Sequence, residues 1–298
     1  MIPVSAARVP AVRYLSSLRL QEILVLQGSP LLGALCALPA SSPQSLGRLI
    51  YLAAANLFLV AHIFLLNDWA GLSTDRIDPN KAGSVFTTRG VGRSEIGSLS
   101  IVLLGLSLIL SSRLGERTFG LALAIVTVSA LYSLPLFNWK GRPLLGTAAH
   151  LAGGALHFLM GYSLGSAVDS RGLAIAVFFG VTFAAGHLMQ EVRDHQGDAL
   201  NTIQTNAVIF GPRRAFAASL ALFSLAYALL VGLALSRVLP RPVAAVAGLY
   251  PFQLHWSLKA LREGLSYESV CRLQIRYRVL FAVIGLAMAA ALYGAALR

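Results

Sequence analysis

The chain has 298 residues, of which 56% are hydrophobic and only 12% are charged. A soluble domain carries about a quarter charged residues and must expose part of its surface to water. This composition excludes an ordinary soluble domain and predicts an integral membrane protein. The formal net charge of +12 does not indicate nucleic-acid binding, because the basic residues lie in short loops between apolar runs, as topology signals and lipid headgroup contacts do.

Nine apolar runs are each long enough to cross about 30 Å of hydrocarbon. The pattern therefore predicts an all-α membrane protein, with one domain over 1–298 and nine transmembrane helices rather than a β-barrel. The boundary between the seventh and eighth runs is marked only by Ser236-Arg237. The predicted spans are 21–40, 49–66, 96–112, 119–136, 144–166, 172–190, 215–236, 238–256 and 279–297.

Basic residues are concentrated on one side of these spans. The sparse side has only Arg48, Arg113, Arg117, Arg171, Arg237, Arg241 and Arg298. The positive-inside rule puts the other side, with the N-terminus, in the cytoplasm, and the protein in the inner membrane if its source is bacterial. Ten of the twelve acidic residues also fall on the cytoplasmic side, all except Glu116 and Asp169. Since that rule does not require acids, we infer that this face uses carboxylates.

Two acidic motifs follow the second and sixth spans, at 67–78 and 190–198. If the helices continue into them, Asp68 and Asp75, seven residues apart, share a face, and so do Glu191, Asp194 and Asp198 at i, i+3 and i+7. Stacked carboxylates repel one another unless a cation lies among them. Oxygen-only ligands suit Mg²⁺, so the motifs predict a magnesium site.

The two motifs also align with each other. A constant offset of 123 residues superposes Asn67 on Gln190, Asp68 on Glu191, Gly71 on Asp194, and Asp75 on Asp198. This internal repeat predicts two four-helix halves around a central cavity, with the ninth helix added and the stripes able to hold two Mg²⁺ ions and a diphosphate. Solvated helix ends would explain one stripe, but two matched stripes on one membrane face favour a site.

Basic and polar side chains accompany the acidic motifs. Lys140 and Arg142 could neutralise a diphosphate, and Tyr132 could donate a hydrogen bond to it; membrane anchoring explains these three equally well. Arg76 and Lys81, beside the first motif, have the same two interpretations.

Among the histidines within apolar spans, His187 is the best functional candidate, one turn before Glu191, whereas His62 is expected to pack against a neighbouring helix. Arg193 lies inside the second motif and is expected to pair with its acids.

Three segments carry a resemblance to the UbiA superfamily of intramembrane prenyltransferases. The first is NDWAGLSTD from Asn67, followed by Arg76 and a Pro-x-Lys ending at Lys81; it resembles the family motif NDxxDxxxD. The second is EVRDHQGD, followed by TNAVIFG at 205–211, and the third is YSLPLFNWKGRPLLG from Tyr132. One departure is Gly71, which stands where the family usually has a third acid, while Asp78 is an additional acid one turn beyond Asp75.

The resemblance implies a prenyl diphosphate whose tail lies in a cavity open to lipid and whose carbocation is captured by a small aromatic or lipid acceptor. It implies Mg²⁺ held by Asp68, Asp75, Asp194 and Asp198, with Lys140 and Tyr132 as further catalytic residues. The substrate-binding residues it suggests are Asn67, Arg76, Lys81, Arg142, Glu191, Arg193 and His187. A terpene cyclase of the same family is one alternative. A transporter is another, although transporter sites usually lie at the bilayer midplane.

Overall fold

The computed structural model describes residues 13–14, 17–38 and 43–296, which form helices joined by short loops and contain no strand. The α-helices are α1 Leu20–Val25, α2 Gly28–Ala37, α3 Pro43–Asp75, α4 Arg93–Leu114, α5 Glu116–Ser133, α6 Leu145–Tyr162, α7 Ser170–Leu200, α8 Asn206–Ile209, α9 Pro212–Leu235, α10 Tyr250–Arg262 and α11 Tyr267–Ala296. Short 3₁₀-helices occupy Ala82–Ser84, Phe86–Arg89, Trp139–Gly141 and Arg241–Leu249.

Six helical segments in the described residues are long and apolar enough to cross a membrane. They are α1 with α2, α3, α4, α7, α9 and α11. The fourth and fifth predicted spans correspond to α5 and α6, which have 18 residues each. The prediction of a multi-pass helical membrane protein is therefore confirmed, and the count of nine crossings stays a prediction.

The eighth and ninth predicted spans need correction. The segment 238–256 is not one α-helix, because a 3₁₀-helix over Arg241–Leu249 precedes α10. Three prolines in 240–251 lack the N–H that a continuous α-helix needs. The last helix begins at Tyr267 rather than at 279. Positions 39–40 and 297 of the predicted first and ninth spans lie outside the described residues.

Glycines allow α6 to approach its neighbours at backbone distance. A Cβ at Gly154 would lie 2.6 Å from the carbonyl oxygen of Phe179 on α7, and a Cβ at Gly180 would lie 2.7 Å from that of Leu151. On the other side of α6, a Cβ at Gly161 would collide with the backbone of α2. Small residues commonly provide such contacts between membrane helices. The close contact of α6 with α7 fixes which side chains of the two helices meet deeper in the site.

The two longest helices in the described chain are α3 and α7, with 33 and 31 residues. At 1.5 Å per residue they reach about 50 and 46 Å, well beyond the hydrocarbon thickness of about 30 Å. Their C-terminal turns therefore extend past the apolar run. Residues 67–75 of the first motif and the whole second motif lie on these turns, as the spacing predicted, whereas residues 76–78 follow α3 in a loop.

Candidate active site

The C-terminal ends of α3 and α7 lie side by side. Asn201, which follows α7, donates from Nδ2 to the backbone oxygen of Thr74 on α3 at 3.0 Å and to that of Gly197 at 2.9 Å. Asp78, in the loop after α3, is buried and packs directly on Gly197. These contacts bring the two acidic motifs together, although they are far apart in the sequence.

Lys81 lies between the two motifs. Its Nζ is 2.9 Å from Oδ2 of Asp194, 3.7 Å from Oδ2 of Asp78 and 3.8 Å from Oδ1 of Asp75. Burial alone would lower the pKa of Lys81, but the carboxylate of Asp194, followed by that of Asp75, outweighs burial and raises the pKa. Lys81 is therefore a cation held by carboxylates of both motifs.

Arg193 also neutralises Asp194. Its Nε and Nη2 donate to Oδ1 and Oδ2 of Asp194 at 2.6 and 2.9 Å. Its Nη1 donates to Oε1 of Gln274 on α11 at 3.0 Å. The guanidinium is therefore held by α11 as well as by its own helix, α7. The predicted pairing of Arg193 with an acid of its own motif is thus present.

Asp68 lies about two helical turns before Asp75 on α3 and therefore further into the membrane. Its carboxylate pairs with Arg19. The guanidinium of Arg19 also lies over the ring of Phe64, 5.4 Å from its centroid. Lys140 has no carboxylate of a described residue within 4 Å, yet its charge acts on both Asp68 and Asp198. The charge of Lys140 therefore reaches one carboxylate of each motif.

A second group of polar side chains, which we call the inner polar cluster, lies deeper in the membrane than Asp194 and Asp198. It consists of Tyr132, His150, His187, Glu191 and Asn206. The His150 and His187 rings stack with centroids 3.8 Å apart, and the Tyr132 ring meets the two edge-on at 4.9 and 5.8 Å. Of the predicted site residues, Tyr132, His187 and Glu191 belong to this cluster.

Six of the predicted residues make no ion pair or side-chain hydrogen bond with any described residue: Asn67, Arg76, Tyr132, Lys140, Arg142 and Asp198. Tyr132, Lys140 and Asp198 are linked to the site by the ring contacts and charges described above. Arg76 and Arg142 are exposed, and Asn67 is half-buried on α3. Their place at the site stays a prediction. His62, in contrast, packs as expected, with Nδ1 2.9 Å from the backbone oxygen of Ser100 on α4.

Two residues that hold site carboxylates were not predicted from the sequence. Arg19 is 49 positions from Asp68, and no local spacing links the two. Asn206 donates from Nδ2 to Oε1 of Glu191 at 3.1 Å, across the turn between α7 and α8. Asn206 belongs to the TNAVIFG segment, so a signal was present, but only as part of a family motif.

A magnesium ion is compatible with these residues. As placed, the described acids, histidines and cysteines form no group of three that could hold a metal. Asp194 pairs with Lys81 and Arg193, and Asp68 pairs with Arg19. The Nζ of Lys81 nevertheless marks a point within 4 Å of three carboxylates from both motifs. Carboxylate oxygens without sulfur or imidazole are the ligands that Mg²⁺ prefers.

The fold and this acidic site define a multi-pass helical membrane protein whose charged groups meet at the ends of two long helices. The family model of the UbiA prenyltransferase family matches residues 29–275, and the chain belongs to that family. A search of curated proteins finds no match.

Solved structures share this fold. A UbiA homolog from Archaeoglobus fulgidus bound to DMAPP and Mg²⁺ superposes with a TM-score of 0.72 at 20% identity, covering 93% of this chain and 99% of that one. The apo UbiA homolog from Aeropyrum pernix K1 gives 0.73 at 19%, covering 91% and 98%. A digeranylgeranylglyceryl phosphate synthase gives 0.70 at 16%, covering 95% and 99%. At these identities the likeness establishes the fold.

Proposed function

We propose that this protein transfers a prenyl group from a prenyl diphosphate to a small aromatic or lipid acceptor within the membrane, and that the transfer depends on Mg²⁺. The observation that carries the proposal is the position of Lys81, whose ammonium group is held by carboxylates of both acidic motifs. A cation at this point, near the membrane surface, is suited to bind a diphosphate whose apolar tail extends into the bilayer.

Each charged side chain has a role in binding the donor. Asp68, Asp75, Asp194 and Asp198 would hold Mg²⁺, which would supply Lewis-acid stabilisation of the diphosphate as it departs. Lys140 and Lys81 would contact the diphosphate directly, since both have charges that reach acids of the two stripes. Arg193 keeps Asp194 in place through its two hydrogen bonds.

The site would also protect the allylic cation that forms when the diphosphate leaves. The ring of Tyr132 lies at the membrane side of the carboxylates and could stabilise positive charge through its π face. The packed helices around it would exclude water, which otherwise captures the cation. We further propose nine membrane crossings, with the acidic site on the cytoplasmic side.

The test measures binding and turnover of geranyl diphosphate with Mg²⁺ by full-length protein in lipid nanodiscs. Asp194→Asn and Asp198→Asn should each lower diphosphate release by about 100-fold or more. The matched control is Asp169→Asn on the opposite face, where Oδ1 accepts from Gly172 N at 2.8 Å and asparagine can cap α7 equally well. Full turnover in excess chelator would refute the proposal, and a cyclic product formed without any acceptor would assign the cyclase reaction instead.

A further inference from the structure

The inner polar cluster lies about one to two helical turns deeper in the membrane than Asp194 and Asp198, the carboxylates that α7 contributes to the proposed diphosphate site. Along α7, Glu191 precedes Asp194 and Asp198 by three and seven residues, which corresponds to about 4 and 10 Å. His187 and Glu191 are 4% and 5% exposed. Tyr132 is only half-buried, so the cluster is not sealed. The cluster lies at the depth expected for the first carbons of a prenyl chain whose diphosphate is bound by the carboxylates nearer the membrane surface.

Glu191 has one anchored oxygen and one free oxygen. Its Oε1 accepts from Asn206, and Asn206 is fixed in turn by the backbone N–H of Leu144, which donates to its Oδ1 at 2.9 Å. The backbone N–H groups of Asn206 and Ala207 face the same carboxylate, but Oε2 is buried without a partner that meets hydrogen-bond geometry. A buried acceptor left unpaired is energetically unfavourable, so this oxygen suits a ligand that brings a donor.

His187 adds further unpartnered atoms beside Glu191. Its Nε2 lies 3.0 Å from Oε1 of Glu191, too far from the N–H direction for a hydrogen bond, and neither ring nitrogen has a partner in the described chain. Gly146 makes room for this ring, because a Cβ there would lie 2.9 Å from Nε2. His150 donates from Nδ1 to the backbone oxygen of Gly146, which leaves its Nε2 as an acceptor.

The charge around the cluster restricts the ligand. No lysine or arginine of the described chain lies within ion-pair distance of Glu191, and the charge of Glu191 acts on Asp198. The charges of Lys140 and Arg19 act on His187 and Tyr132, but neither cation forms an ion pair with Glu191. A ligand that carried its own carboxylate or phosphate into the cluster would therefore face the carboxylates of Glu191 and Asp198 without a cation in contact with Glu191. The cluster fits an uncharged group that donates a hydrogen bond.

We propose that the inner polar cluster binds the hydroxyl group of an uncharged acceptor, a phenol or an alcohol, and that Glu191 accepts its proton. This proposal rests on the proposed function. As the C1–O bond of the prenyl diphosphate breaks, its electron pair leaves with the diphosphate, and the acceptor oxygen forms a new bond to C1. The hydroxyl proton passes to Oε2 of Glu191 and is released to water before the next turnover.

The test uses two probes, para-pentylphenol and para-pentylanisole, which differ only in a methyl group on the oxygen. Full-length protein in nanodiscs is compared with Glu191→Gln and with a control, His157→Gln, which changes another buried histidine bonded within its own helix to Gly153. Probe binding is measured by thermal shift without donor. Donor binding and prenylated product are measured with geranyl diphosphate and Mg²⁺.

The unaltered protein should bind the phenol at least about tenfold more tightly than the anisole, because only the phenol satisfies Oε2. Glu191→Gln should abolish this preference and lower product formation about 100-fold, while its affinity for geranyl diphosphate changes less than about threefold. His157→Gln should keep both the preference and the product.

Three results would overturn this proposal: equal binding of the two probes by the unaltered protein, normal product formation by Glu191→Gln, or loss of donor binding in Glu191→Gln. The last would place Glu191 at the diphosphate. If the unaltered protein does not bind geranyl diphosphate, the proposed function fails. The preference for the phenol over the anisole, and its loss in Glu191→Gln, are measured without donor and still decide whether the cluster binds a hydroxyl group.

Discussion

The carboxylate of Asp78 lies against Gly197, in the space that a side chain at position 197 would fill. Asp78 is 3% exposed and follows α3, whereas Gly197 belongs to α7, so this contact joins the loop after the first motif to the helix of the second. Lys81 lies three residues beyond Asp78 and 3.7 Å from its carboxylate. The position of Lys81 at the site therefore depends on a glycine in the opposite motif.

Gly197→Ala should displace Asp78 and, with it, Lys81. A new Cβ would overlap the Asp78 side chain, and such overpacking costs roughly 1–2 kcal/mol when a short side chain can rotate away. Thermal melting should show the lost stability, and turnover of geranyl diphosphate should fall. Gly186→Ala is the matched control on the same helix, since no atom lies within 4 Å of its Cβ position. Because alanine favours helix, this control should be neutral or stabilising by up to about 1 kcal/mol. Equal losses of stability and turnover in both variants would show that the overlap with Asp78 is not their cause.

Lys81→Met should make the protein more dependent on Mg²⁺ for its stability. Without the ammonium group, the carboxylates of Asp75, Asp78 and Asp194 repel one another when a chelator is present. Added Mg²⁺ should relieve this repulsion, so the Mg²⁺-induced rise in melting temperature should be larger in the variant than in the unaltered protein. Arg76→Met, a neighbouring change without an ion pair to a described residue, should leave the rise unchanged. An identical rise in Lys81→Met would show that Mg²⁺ does not bind among these acids.

The contribution of Lys81 to stability should depend on pH only in the alkaline range. The pKa of Lys81 is raised in the folded protein, with burial opposing the shift and Asp194 outweighing it. A raised pKa adds stability below the unfolded-state value, about 10.4, and this contribution is lost as pH rises through the folded-state value. The difference in melting temperature between the unaltered protein and Lys81→Met should stay constant from about pH 7 to 9 and shrink above the ordinary lysine range. A difference that vanishes already near neutral pH would mean that Lys81 is not held by these carboxylates.

The helices that carry the acidic motifs were predictable from the sequence. No proline or glycine pair interrupts the runs that lead into Asp75 and Leu200, so a helical spacing of carboxylates could be extended from apolar to polar residues. The prediction of one continuous helix over 238–256 was wrong because hydropathy alone does not register the backbone donors that prolines remove.

The partners of the site carboxylates were less accessible from the sequence. The pairing of Arg19 with Asp68 and of Asn206 with Glu191 depends on how segments pack, which periodicity does not encode. Stacking of His150 on His187 likewise depends on the close approach of α6 to α7 at glycines 154 and 180. Spacing along one helix therefore located the acids, and tertiary contacts decided what each acid meets.

The proposed topology places residues 80 and 170 on opposite sides of the membrane. Asn80 and Ser170 are both exposed, and they stand at opposite ends of the long helices that carry the motifs. Single cysteines at these positions, in a background with Cys36→Ala and Cys271→Ser, should react with a membrane-impermeant maleimide from opposite sides of sealed vesicles. Labelling of both from one side would refute the nine-span arrangement.

Gly71 is where the sequence departs from its own repeat, and the structure has room for a side chain there. A Cβ at this position would lie 3.4 Å from Oδ2 of Asp75 and 3.8 Å from Oγ1 of Thr74, which are ordinary contact distances. An aspartate at 71 would therefore fit, and its effect would be electrostatic. If Lys81, Asp78 and the second motif already balance the charge of the site, the new carboxylate repels Asp75 and turnover should fall.

If instead the first motif lacks a metal ligand, Gly71→Asp should bind Mg²⁺ more tightly and raise turnover. We expect the fall, because the carboxylates of both motifs and the basic side chains around them are all in place. Gly71→Asn is the matched control, since it adds nearly the same volume without a charge and should affect turnover less than aspartate does. A Mg²⁺ titration of diphosphate release by the three proteins decides between the two accounts: higher turnover at a lower Mg²⁺ concentration in Gly71→Asp would show that the glycine marks a missing ligand.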